Sequence, residues 1–194
     1  PEWSDPGYRS VMIGNNSASV VSEAWIKGLR GYDIKTLYQA LLKDANAAGP
    51  VPAVGREGVE YYNTLGYVPY DVHINENAAR TLEYAYDDFL VSEIARALGL
   101  KQDADMFAQR AHNYRNVIDP TVGFARGRHQ NGDWAIPFDP GKKASYITEG
   151  TSYQYTFFVP QDIPGLIHIL GGDKAFVRKL DTFFAGGYYD HGNE

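Results

Sequence analysis

The segment Thr148-Glu149-Gly150-Thr151-Ser152-Tyr153-Gln154-Tyr155 sets one carboxylate and one amide among tyrosines, directly before Phe157-Phe158-Val159-Pro160-Gln161-Asp162. A carboxyl group held among aromatic rings loses hydration, which raises its pKa and suits it to donate a proton near neutral pH. Glu149 is therefore the candidate general acid; the alternative is a solvated loop glutamate beside a core strand. The run Tyr188-Tyr189-Asp190-His191-Gly192-Asn193-Glu194 offers carboxylate and amide oxygens beside a histidine. Calcium takes ~6–8 oxygen ligands, so this run is a candidate metal segment, although it lacks the alternating acids of an EF-hand loop. A polar, frayed end is the alternative there.

A third acidic group falls within a helical pattern. Glu83 and Asp87 are four apart, with Asp88 alongside, and like charges at that spacing repel on a helix surface. A solvated face is the simplest expectation. Substrate hydroxyls, a metal or Arg80 would be the compensating partners if the face is covered. Asp71-Val72-His73-Ile74-Asn75-Glu76 resembles a metal cluster in composition but reads as a turn and capping segment, because Asn and Asp oxygens satisfy free amides at a helix start.

The elements that must position these groups are mostly helices. Apolar residues near a 3.6-residue period mark helices from about Ala78 to Leu98, with Asn77 as N-cap and Gly99 as the stop, and from about Lys101 to Val117 and Ile34 to Ala47. Others run from about Ile163 to Leu170, closed by Gly171-Gly172, from about Lys174 to Phe184, closed by Gly186-Gly187, and from Ser17 to Lys27, with a short one over Arg56 to Thr64. Two long aromatic and polar connections, Gly66 to Glu76 and Gly123 to Tyr155, show neither period, and long loops in a compact domain are usually functional. Helix following helix with rich loops on one side fits an α/α toroid, a ring of paired helices around a pocket.

Composition narrows the chemistry further. The 194 residues, 44% apolar, suffice for one sizeable core. A net charge of −6 gives no electrostatic reason to bind nucleic acid, and no apolar run reaches the ~18 residues needed to cross a bilayer. The absence of cysteine removes thiolate metal sites and cysteine nucleophiles. There is no nucleophile elbow, phosphate loop, dinucleotide fingerprint or His-Glu-x-x-His motif. What remains is carboxylates, amides and aromatics, and three tryptophans and 15 tyrosines can stack on sugar rings.

Four blocks, in order, resemble glycoside hydrolase family 92, the calcium-dependent exo-alpha-mannosidases. They are Met12-Ile13-Gly14-Asn15-Asn16-Ser17-Ala18, Thr81 to Asp88, Glu149 to Tyr155 continuing through Val159-Pro160-Gln161-Asp162 and Gly165-Leu166, and His191-Gly192-Asn193-Glu194. The resemblance implies a mainly α fold, with residues 1–194 forming part of an (α/α)6 toroid catalytic domain, and an N-terminal β-sandwich and a C-terminal remainder lying outside this chain. It implies an inverting, exo-acting enzyme that removes terminal mannose from glycans, secreted or periplasmic, with the remainder of the parent enzyme as its partner. On the Glu-Gly-x-x-x-Gln match Glu149 takes the acid position, with Gln154, Tyr153 and His191 as substrate-binding residues and Asn193 and Glu194 as calcium ligands. The family's base aspartates sit in a later Gly-Asn-Asp-type block, so the base is expected outside this chain. Gly192 stands where members specific for alpha-1,2 linkages carry Glu, which leaves the linkage unassigned. Two rival readings stay open: another (α/α)6 carbohydrate enzyme, for which a uronide substrate would need Arg126-Gly127-Arg128-His129, and a non-catalytic glycan-binding fragment.

Overall fold

In the computed structural model of the chain the described residues are 13–49 and 55–186, and they are mainly helical. The order is α1 (Asn16–Ile26), α2 (Ile34–Asn46), α3 (Val59–Leu65), α4 (Asn77–Ala97), α5 (Lys101–Arg110), a 3₁₀ turn (Asn113–Val117), β1 (Ile118–Asp119), β2 (Phe124–Ala125), α6 (Ser152–Tyr155), α7 (Ile163–Ile169) and α8 (Asp173–Gly186). The two strands form an antiparallel pair, Ile118 opposite Ala125.

α4 is the axle of the fold. Alanines at 78, 79, 85 and 95 are fully buried, and these small side chains let neighbouring elements approach its backbone. Its first half packs with the loop residues Tyr146 and Ile147 and with Val159 and Leu166 of the C-terminal part. The second half packs with Ala18 of α1, Tyr38 and Leu41 of α2 and Phe107 of α5.

The helix ends follow from local chemistry. Asp33 caps α2 by accepting from the Lys35 and Thr36 amides at 3.1 Å each, and Asp162 caps α7 through the Gly165 amide at 2.9 Å. Asp162 also accepts from Tyr114 Oη at 2.7 Å and Arg115 Nη2 at 2.9 Å. Gly165 is required there, because a Cβ would come within 2.4 Å of Tyr114 Oη. The expected N-cap Asn77 lies inside α4, and the cap position is held by Glu76 in the left-handed region. Free amides of the first turn go instead to the long loop, with Ala78 and Ala79 N–H both donating to the Tyr146 carbonyl at 3.1 Å. The expected second helix divides after Arg110 into α5 and the 3₁₀ turn.

The expectation of a solvated face at Asp87 and Asp88 is overturned, as both are buried. Asp88 accepts from Arg56 Nη1 at 2.6 Å, Arg110 Nε at 2.8 Å and Tyr62 Oη at 3.0 Å. Compensation thus comes from Arg56 and Arg110, while Arg80 pairs with Glu57 at 3.1 Å and Glu76 at 3.3 Å. Spacing on α4 could not reveal this, since the guanidinium groups arrive from a loop and from α5. Removing one member of a buried ion network strands the others without water. Asp88→Ala is therefore expected to lower the unfolding free energy by about 3–5 kcal/mol in denaturant titrations. A loss no larger than that of an exposed ion pair would contradict the arrangement.

Candidate active site

Two loops meet over the start of α4. The Glu76 amide donates to the Ser145 carbonyl at 2.6 Å, which ties the 66–76 connection to the 143–151 segment. Between them lies an open cleft of about 560 Å³, lined by residues including His73, Asn75, Glu76, Arg80, Lys143 and Ser145. The non-glycine residues with left-handed backbone are His73 (φ 59°), Glu76 (φ 59°) and Glu149 (φ 44°), all on these two loops. Such conformations cost of order 1–3 kcal/mol each and persist where surrounding contacts hold them, often at working sites.

Glu149 stands within the loop closed by the Lys143–Thr151 bridge, two residues before Thr151, the N-cap of the short helix α6. Its side chain is exposed, so the burial among tyrosine rings expected from the sequence is not supplied by these residues. Gln154 is committed in part to local structure. Its Oε1 accepts from the Thr151 amide at 2.7 Å, and a Cβ at Gly150 would lie 2.6 Å from that oxygen, so Gly150 leaves the room that the amide needs. The side-chain NH₂ of Gln154 is the part left for a ligand. Tyr153 lies edge-on to Phe124 at 4.6 Å and stacks on Phe183 at 6.2 Å between centroids, which places its ring in the aromatic packing under α8. His191, Asn193 and Glu194 lie outside the described residues.

A group that spacing alone left ambiguous joins this region. Glu76, Arg80, Glu83 and Asp87 recur at i, i+4, i+7 and i+11, a charged stripe about 16 Å long running from the N-cap along one side of α4. Burial, then the neighbouring Asp87 charge, pushes Glu83 up to about 8. Burial likewise pushes Asp87 up to about 6, against Arg56 and a 2.6 Å hydrogen bond from the Asn15 amide. Tyr155 of α6 faces the same stripe. Burial first, then the field of Glu83 and in lesser measure that of Glu76 and Glu149, pushes its phenol up to about 12. The signal in the sequence was the four-residue spacing of Glu83 and Asp87; what it could not say was which side of the helix is covered.

The basic cluster that a uronide would need is spent on structure. Arg126 donates to Asp119 Oδ2 at 2.9 Å and to the Ala135 carbonyl at 2.8 Å, and Arg128 donates to the Gly132 and Asn116 carbonyls at 3.1 Å each.

The sequence profile of the glycosyl hydrolase family 92 catalytic domain matches residues 1–194. The chain belongs to glycosyl hydrolase family 92. Among solved structures it superposes on a family GH92 inverting mannosidase from Bacteroides thetaiotaomicron with a TM-score of 0.87 and 40% identity, over 94% of this chain and 25% of that one. A GH92 alpha-mannosidase from the same bacterium, in complex with mannoimidazole, matches with a TM-score of 0.82 and 35% identity, over 90% of this chain and 23% of that one. A secreted glycosidase of uncharacterised activity from Arthroderma benhamiae is 30% identical over 213 residues, 93% of this chain and 27% of that protein. The chain therefore spans about a quarter of the length of these family 92 relatives. It is glycoside hydrolase sequence, with mannosidases as its structural neighbours.

The raised pKa values carry a sign that can be measured. A carboxyl whose folded pKa lies above its unfolded value binds more protons when folded, so its contribution to stability is complete below about 4.5 and is lost as pH rises towards about 8. Glu83→Gln cannot titrate. Its melting temperature relative to the unsubstituted protein is expected to climb steadily between pH 5 and 8, and a difference that stays flat across that window would contradict a buried Glu83.

Proposed function

We propose that the protein carrying this chain hydrolyses terminal alpha-mannosides of glycans with inversion, with Glu149 as proton donor. The observation that carries the reading is the match of residues 1–194 to the family 92 catalytic domain together with the 0.87 superposition on an inverting mannosidase. Inversion needs two carboxyl groups ~6.5–9.5 Å apart, one to protonate the glycosidic oxygen and one to activate a water on the opposite face of the sugar. Glu149 takes the first role. It sits on a strained loop beside the cleft, where its exposure lets a glycosidic oxygen reach it. The remainder of the enzyme supplies the base. The described residues contribute one sector of an (α/α)6 toroid, with the loops before α4 and α6 on its pocket side.

Gln154, Tyr153 and His191 are proposed as substrate contacts, Gln154 through its NH₂ and Tyr153 through the edge of its phenol. Calcium is the proposed cofactor, held in part by Asn193 and Glu194. The rest of the donor set is proposed to come from the remainder of the enzyme. When bound, calcium supplies positive charge that orients sugar hydroxyls. Export is proposed as well, on the strength of the secreted relative.

Glu149→Gln in the whole enzyme is expected to cut kcat on a mannoside with a poor leaving group by about 10²–10⁴-fold, in line with loss of general acid catalysis. Unchanged turnover would remove Glu149 from the mechanism. Activity that is lost in EGTA and restored by added calcium is the second expectation; indifference to the chelator would remove the metal.

A further inference from the structure

Glu149 is exposed, but the residues that follow it, Gly150, Thr151 and Ser152, are buried. α6 is short, yet it is tied down: the Ala125 amide donates to Thr156 Oγ1 at 2.8 Å, and that hydroxyl donates to the Ser152 carbonyl at 2.5 Å. The Tyr153 amide adds a bond to the Pro140 carbonyl at 3.3 Å. From this anchored turn the Gln154 side chain reaches back, and its Oε1 accepts from the Thr151 amide at 2.7 Å, one half of a capping box. The same amide lies directly against Gly150, where a Cβ would stand 2.6 Å from Oε1 and 3.1 Å from Cδ of Gln154. The backbone of Gly150 is outside the left-handed region, so a side chain there would disturb the Gln154 amide and not the chain conformation. Glu149, immediately before it, holds φ 44°, and a non-glycine residue stays in that region only where neighbouring contacts fix it.

We propose that Gln154 is a positioning residue for Glu149: through Oε1 it fixes the Gly150–Thr151 backbone, and with it the left-handed turn that aims the Glu149 carboxyl at the glycosidic oxygen. This rests on the reading of Glu149 as the acid. It uses the oxygen of the side-chain amide, whereas the NH₂ is the end proposed to meet the sugar. A general acid must stand within hydrogen-bond reach of the oxygen that it protonates, and a misplacement of about 1 Å costs on the order of 10²-fold in rate. An exposed residue in the left-handed region has more comfortable backbone conformations open to it, and the clamp on the next two residues closes them off. Loss of the clamp therefore matters where a proton must be delivered to the leaving group, and matters little where the leaving group departs without one.

The test uses the whole enzyme with methyl alpha-mannoside, whose alkoxide must be protonated as it leaves, and dinitrophenyl alpha-mannoside, whose phenolate departs unaided. Gly150→Ala keeps the Gln154 amide but drives its oxygen off the Thr151 N–H, and Gln154→Ala removes the oxygen outright. Each is expected to lower kcat at least about tenfold on the methyl glycoside and less than about threefold on the dinitrophenyl glycoside. KM is free to rise in Gln154→Ala, which also loses the NH₂; the split in kcat between the two substrates carries the test. With the amide gone a Cβ at 150 has room, so the double variant is expected to fall within about threefold of Gln154→Ala. Equal losses on both substrates, no loss on either, or losses that multiply in the double variant would overturn the proposal. Should Gln154→Ala fail to fold, Gly150→Ala decides by the same split. Glu149→Gln runs alongside: no split between the substrates in that variant defeats the acid reading, whereas a split there with none at 150 or 154 defeats only this inference.

Discussion

One buried carboxylate decides how this chain is put together. Asp88 accepts hydrogen bonds from Arg56 ahead of α3, Tyr62 within α3 and Arg110 at the end of α5. Arg110 reaches on to α2 through the Ala45 carbonyl and Asn46 Oδ1. A single position on α4 therefore fixes the relation of four helices, and it does so by direction as well as by burial. Apolar packing alone would tolerate small slides and rotations of these helices, whereas a carboxylate surrounded by two guanidinium groups and a phenol has few satisfactory arrangements.

That constraint sets the phase of α4, and the phase decides what faces the cleft. With Asp88 turned into the network, the Glu76–Arg80–Glu83–Asp87 stripe faces a neighbouring direction, towards the Gly14 turn and Tyr155. The loops over the start of α4 are held by backbone hydrogen bonds from Glu76, Ala78 and Ala79, and their left-handed residues are clustered there. A rigid helix carries the buried acid and a strained loop carries the exposed one.

Much of this was legible in the residues. Helical periods located each of the eight helices except α6, and the ordered blocks pointed to the family that the profile and superpositions confirm. The four-residue α6 and the two-residue strands are too short for a period to show, and their conformations follow from long-range contacts such as the Ala125 amide donating to Thr156 Oγ1. The charged positions were the hardest. Asp87 and Asp88 look alike along a helix, yet one ends up bound by two arginines and the other beside a glycine turn, because their partners lie 22 to 72 residues away in sequence. Glu149 stood out by the company it keeps in sequence, but the burial those tyrosines suggested is absent: Glu149 is exposed, and Tyr153 turns into the aromatic packing.

The stereochemistry of the first product bears on the central claim more directly than any rate does, because two carboxyl groups on opposite faces of the sugar leave it inverted at the anomeric carbon. Proton NMR of the whole enzyme acting on an alpha-mannoside should show beta-mannose appearing first and mutarotating to the alpha form afterwards. Alpha-mannose as the first product would contradict the account.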